Sequence, residues 1–182
     1  MSDNIKSYLS YYHDYGIYYP SRVIDLFGDI DQDKAQNVIK NLIALDATSG
    51  TINIHLMSEG GCVVSGLAIY NMIQSCQNHV RIICMGEVSS MATLILQAAD
   101  ERVMKPDSFL MLHVGSEQSG DMHPRAKEQW DKYMKKLEIR MEDIYLKKIK
   151  EKKKKFTRKQ LQDMILFNRI FTPKEAHRQS IV

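Results

Sequence analysis

Residues 52–70 run Ile-Asn-Ile-His-Leu-Met-Ser-Glu-Gly-Gly-Cys-Val-Val-Ser-Gly-Leu-Ala-Ile-Tyr. Ile52, Ile54 and Leu56 alternate with Asn53 and His55, which is the period of a half-buried strand. The alternation stops at Ser58-Glu-Gly-Gly61, and a helix is expected from about Val64 to Gln77. Strand, glycine turn and helix form the local unit. The unit recurs at Val80–Met85, a nearly all-apolar run of the kind a strand shows when both faces are covered. Gly86 follows, then an apolar helix from about Ser90 to Ala99, and a strand returns near Phe109–His113. Upstream, Arg22–Phe27 reads as a strand stopped by Gly28. A helix over roughly Asp33–Leu45 comes next, with Ala35, Val38, Ile39, Leu42 and Ile43 on one face. Such alternation predicts an α/β fold of parallel strands joined by right-handed crossovers.

The flanks differ in texture. Residues 1–20 carry six of the nine tyrosines and end at Pro20 with no clear period, so they are expected to be an arm or loop that packs against something. From Arg125 to Lys155 there is neither Gly nor Pro, and Trp130, Tyr133, Leu137, Met141, Ile144, Tyr145 and Ile149 recur at helical spacing. A long amphipathic helix of that length is expected to reach beyond the compact body. Two capping boxes, Thr157-Arg-Lys-Gln160 and Thr172-Pro-Lys-Glu175, predict two short closing helices.

Length and charge exclude several classes. The chain has 182 residues, 44% hydrophobic and 26% charged, which suits one domain with a sizeable core. The net charge of +3 is too small to imply nucleic-acid binding. It is unevenly spread: Lys147 to Lys159 holds eight Lys, Arg158 and only Glu151, a local +8, leaving −5 for the rest. Phe156 is the one aromatic among these lysines, so they read as a solvated helix end. Cys62, Cys76 and Cys84 form no Cys-x-x-Cys pair and are expected to be buried thiols in a reducing compartment. No signal peptide and no run of roughly 18 apolar residues is visible, so a cytoplasmic protein without membrane association is expected.

Four places carry candidate chemistry. Gly60-Gly61-Cys62 ends a strand, where α/β sheets place ligands, and paired glycines permit close approach to exposed backbone N–H groups. A plain tight turn would look the same. No Gly-Lys-Ser/Thr follows, so it is not a phosphate loop. In Gly86-Glu-Val-Ser-Ser90-Met91-Ala92 a serine opens a buried helix; it is either a helix cap or a nucleophile beside oxyanion-binding amides. His113 ends the apolar strand Phe109–His113 on the same sheet edge, where an imidazole can take the serine proton. Asp163 is the only acidic residue between Glu151 and Glu175 and a candidate to orient that imidazole, or a solvent-facing helix residue.

Together these segments resemble a known family. Ser58–Tyr70, Cys84–Ala92 and Met111-Leu-His113, with Arg22–Gly28 before them and Phe171–Ala176 after, strongly resemble the proteolytic subunits of the Clp protease, the ClpP-like serine peptidases. The resemblance runs from about Ile17 to the last residue, with the motifs in order. It implies an α/β ClpP/crotonase-type spiral of β-β-α units, with a single peptidase domain over 21–182, an arm over 1–20, and a protruding handle helix over about 125–155. It implies Ser90 as nucleophile, His113 as general base, the Gly61 and Met91 amides as oxyanion hole, and no metal or organic cofactor. Counting back from Glu175-Ala176, the family aspartate falls on Met164. Asp163 takes its place with a one-residue insertion in 165–171, and Asn168 is the fallback.

As partners, the resemblance implies unfolded polypeptides, further copies of the chain in two stacked heptameric rings, and an AAA+ unfoldase. Departures stand out: Glu59 for a proline, Ala92 for a glycine, and Ser180 for the glycine of a terminal turn. Asn53 and His55 replace aromatics of the unfoldase-docking strand. Three alternatives follow: a ring subunit lacking a working triad, a maturation protease that needs no unfoldase, and an acyl-thioester enzyme of the crotonase superfamily.

Overall fold

The computed structural model describes residues 3–113, 123–166 and 168–182. Its strands are β1 (Ile17–Tyr18), β2 (Val23–Phe27), β3 (Ile52–Ser58), β4 (Val80–Ser89), β5 (Glu101–Met104), β6 (Phe109–Leu112) and β7 (Arg169–Phe171). Its helices are α1 (Asp3–Tyr15), α2 (Gln32–Asp46), α3 (Val63–Ser75), α4 (Met91–Leu96), α5 (Pro124–Lys152), α6 (Arg158–Ile165) and α7 (Pro173–Gln179). One sheet runs β1-β2-β3-β4-β6-β7, with β5 also beside β4. The β2-β3-β4-β6 centre is parallel, and the short end strands β1 and β7 are antiparallel. This is the mixed α/β architecture expected from the alternation of strand, turn and helix.

β4 organises the molecule. It is longer than the expected Val80–Met85 because it continues to Ser89. Its first half pairs with β5 (Arg81–Cys84 against Glu101–Met104) and its second half with β6 (Glu87–Ser89 against Phe109–Met111). Against β3 the register shifts between Leu56 and Ser58, which face Cys84 and Val88. Such a bulge bends the strand and re-aims its end. Ile24, Leu26, Ile52, Ile54, Leu56, Ile82 and Cys84 are fully buried, each contributing about 1.5–3 kcal/mol for the larger side chains. The other face is not covered as the apolar run suggested. Ile83 is half-buried and Met85 exposed, so β4 is apolar on a side that the chain itself leaves open.

The helices follow their caps. Asp31 accepts Lys34 N–H (2.7 Å) at the start of α2, and Thr157 and Thr172 form both expected capping boxes. On α2 the buried stripe is Ala35, Val38, Leu42 and Leu45, whereas Ile43 is exposed because it stands one step round the helix from that stripe. The tyrosine-rich start is a helix, not an irregular arm. Tyr8 and Tyr11 pack on Tyr19, Tyr12 packs on Tyr18, and Asn37 and Asn41 both donate to Tyr15 O (2.9 Å). Those contacts are tertiary, which is why no local period announced them. Along α5 the buried residues begin only at Glu142, so its first half stands off the body, as an amphipathic helix seeking another surface would. No helix among the described residues is long and apolar enough to cross a membrane.

Candidate active site

Ser90 lies between β4 and α4 with φ 52° and ψ −125°. An L-residue in that region costs on the order of 1–3 kcal/mol and persists only where its surroundings hold it. Three bonds hold it. Ser90 N–H donates to Met111 O on β6 (2.9 Å), while Ser90 O accepts from Thr93 N–H (3.0 Å) and from Thr93 Oγ1 (2.6 Å). Because the Thr93 hydroxyl proton is committed to Ser90 O, the buried Tyr145 hydroxyl donates to Thr93 Oγ1. Burial pushes the Tyr145 hydroxyl pKa well up, so it keeps the proton it donates. Ser90 stands at the cap position of α4, yet its Oγ caps no helix N–H. The helix-cap reading of this serine is thereby removed.

The Gly-Gly turn is shaped around Ser90. Gly60 and Gly61 have φ 112° and 141°. A β-carbon at Gly60 would stand 2.7 Å from Ser90 Cβ, and one at Gly61 would stand 2.5 Å from Ile30 O. Only glycine tolerates both the conformation and the approach. The Ser58 hydroxyl accepts Gly60 N–H (3.0 Å), and Ile30 bridges the turn through its N–H to Gly60 O (2.8 Å) and its O from Cys62 N–H (2.7 Å). Among the described residues neither Gly61 N–H nor Met91 N–H donates to a turn, loop or cap group. A β-carbon at Gly66 would collide with the Met91 side chain, so α3 packs tightly behind that amide.

Ser90, His113, Gly61 and Met91 line a single cleft of about 80 Å³. The four residues that the sequence singled out, more than fifty positions apart at the extremes, therefore converge. Val63 and Leu94 add apolar surface beside them. The facing wall is Glu138, Met141, Glu142 and Tyr145 of α5, with Ile165 of α6. The sequence had marked Met141 and Tyr145 only as a helix face, and nothing in the pattern marked the two glutamates. Glu142 is buried, held by Arg158 and by Gln162 Nε2 (2.8 Å). Arg158 also reaches Asp143 Oδ1 (2.6 Å), tying α6 to α5.

Asp163 is not in this cleft. Its side chain is 60% exposed, lies 3.3 Å from Lys159 Nζ one turn earlier on α6, and faces a separate depression with Phe156, Gln160 and Arg169. The physical reason is helical phase: on α6, Leu161, Met164 and Ile165 are the buried positions, which turns 163 to solvent. Asn168 has φ 41° just before β7 and also does not line the cleft. Of the cysteines, Cys84 is buried and Cys76 partly buried, as expected, and burial pushes their thiols up to about 12 and about 11. Cys62 is exposed, against expectation, because the Gly-Gly turn lifts it to the start of α3. Among the described residues no three His, Cys, Asp or Glu side chains gather as a metal site needs.

The sequence profile of the Clp protease family matches residues 6–181. The chain belongs to the Clp protease family. A curated relative, the ATP-dependent Clp protease proteolytic subunit of Carsonella ruddii (strain PV), is 39% identical over 95 residues, 50% of this chain and 49% of that protein. The chain thus spans about half the length of the curated relative that it matches.

Proposed function

We propose that this chain is a serine endopeptidase that hydrolyses unfolded polypeptides through an acyl-enzyme. The observation that carries the reading is the strained, triply anchored Ser90, whose hydroxyl caps no helix and shares a cleft with His113 and two amides. Ser90 Oγ attacks the peptide carbonyl while His113 takes its proton. The oxyanion sits on Gly61 N–H and Met91 N–H; each such donor is typically worth roughly a hundred- to a thousandfold in rate. The C–N bond then breaks, and His113 returns the proton to the leaving amine. Water attacks the Ser90 ester with His113 again as base, and the acid product leaves with Ser90 restored. No metal or organic cofactor enters these steps. Asp163 plays no part in them, because its carboxylate is turned to Lys159 and solvent.

Residues 21–182 act as one peptidase domain, with 1–20 as an added segment. The first half of α5, in which no described residue is fully buried within its own chain, is the surface on which copies stack, giving a barrel of two heptameric rings that encloses the clefts. The chain has no phosphate loop, so ATP is used by a separate AAA+ unfoldase. The setting is the cytoplasm.

A second reading, a maturation protease that works without an unfoldase, is favoured by one observation. On the outer face of β2 and β3, where a docking partner would meet aromatics, His55 Nδ1 is paired with Asp25 Oδ1 at 3.0 Å. A ring subunit without activity is the alternative that the position of Asp163 favours. Labelling with a fluorophosphonate probe separates these. Modification of Ser90 that is lost in Ser90→Ala supports the peptidase, and absence of labelling in the assembled wild type overturns it. Stimulation of folded-substrate degradation by a Clp-type unfoldase would then remove the maturation reading, and binding of an acyl-CoA would favour a crotonase activity instead.

A further inference from the structure

We infer that the cleft selects a lysine or arginine side chain on the residue whose carbonyl Ser90 attacks, with Glu138 as the specificity-determining carboxylate. The inference rests on the peptidase reading, because the cleft is the one that holds Ser90 and His113. A substrate carbonyl held between Ser90 and the Gly61 and Met91 amides directs its neighbouring side chain to the facing wall. That wall is two-natured. Met141 and Ile165 offer apolar surface, and Glu138 and Glu142 offer carboxylates. A lysine or arginine has the same division, an apolar stem and a charged head, and lays the stem on apolar surface while its head seeks charge.

The charge is uncompensated. On the wall itself Arg158 offsets Glu142, so Glu138 leaves it at −1. No cation stands within ion-pair distance of Glu138 among the described residues. Glu138 and Glu142 are four apart on one helix, a spacing at which like charges repel. A cationic head between them relieves that repulsion, whereas an acidic side chain adds to it. Glu142, buried and already bonded to Arg158 and Gln162, sets the background charge. Glu138, exposed at the mouth, is the carboxylate with its charge still to give.

The test uses the purified full-length assembly and peptides identical except for Lys, Arg, Leu or Glu at the attacked residue. Wild type is expected to show kcat/KM for Lys and Arg about tenfold above Leu and further above Glu, with the gap narrowing at high salt. Glu138→Gln is expected to lower the Lys-to-Leu ratio roughly threefold, as loss of an exposed ion pair does, and Glu138→Lys to reverse the order of Lys and Glu. Probe labelling of Ser90 is measured on every variant. If Ser90 is labelled but Leu is preferred, or if the ratios ignore both Glu138 variants, the inference falls and the peptidase stands. If nothing is labelled and no peptide is cleaved, both fall together.

Discussion

The wall of the cleft that carries Ser90 and His113 is made of strand ends, whereas the wall facing it is one side of α5 and the end of α6. The first is built from backbone. Ladder register sets Ser89 opposite Met111 and gives Ser90 N–H to Met111 O, glycines with φ 112° and 141° bring the neighbouring turn into contact, and the two candidate oxyanion donors are main-chain amides. The second is built from side chains. Arg158 clasps Glu142 and Asp143, and Tyr145 donates to Thr93. Backbone geometry is shared by many bonds and yields little, while side-chain walls change residue by residue. The sheet wall should therefore decide whether chemistry occurs, and the helix wall which substrate it occurs on.

The difference can be broken at several points. The largest effect is expected from Ser90→Ala, which should remove on the order of a millionfold of peptide-hydrolysis kcat with the assembly mass unchanged. Its companion Ser90→Gly should be equally inactive yet more stable than Ser90→Ala by about 1 kcal/mol in denaturant titration, because glycine accepts φ 52° without strain. Next comes Gly61→Ala. The added carbon meets Ile30 O, so the amide must tilt, and kcat should fall by roughly a hundredfold or more. If Gly61→Ala keeps near-normal turnover, the sheet wall is less rigid than its bonds suggest.

On the helix wall the effects are smaller. Tyr145→Phe removes the hydroxyl that supports Thr93 behind Ser90; stability should drop by about 1 kcal/mol and turnover by less than about tenfold. A loss as large as that of Gly61→Ala would mean that α5 shares in holding the nucleophile. Smallest of all, Asp163→Ala should leave turnover within about twofold, as truncation of a surface helix residue does. A thousandfold loss there would restore Asp163 as the orienting acid and require α6 to rotate in the working assembly.

The parallel α/β core was readable in the alternation of Ile52, Ile54 and Leu56 and in the glycine turns, because strand period and turn chemistry are local properties. Both closing helices were readable in their capping boxes for the same reason. The extension of β4 to Ser89, the helical state of residues 3–15 and the exposure of Ile43 were not, since each depends on what lies across from the residue. Ser180 shows both levels at once. Its place as a substitute for a glycine was visible in the sequence, and its φ of 62° at the end of α7 shows why a glycine suits that position.

The amino-acid order alone determined which residues can carry chemistry: a hydroxyl, an imidazole and a double glycine at the ends of apolar strands. Only the tertiary structure decided which of them meet. Helical phase turned the carboxylate of Asp163 outward and register turned Ser90 inward, and it was the packing of α5 over the sheet that brought Glu138 and Glu142 into the same cleft. A residue's type is written in the chain, but its neighbours across space are chosen by burial and hydrogen bonding summed over the whole fold.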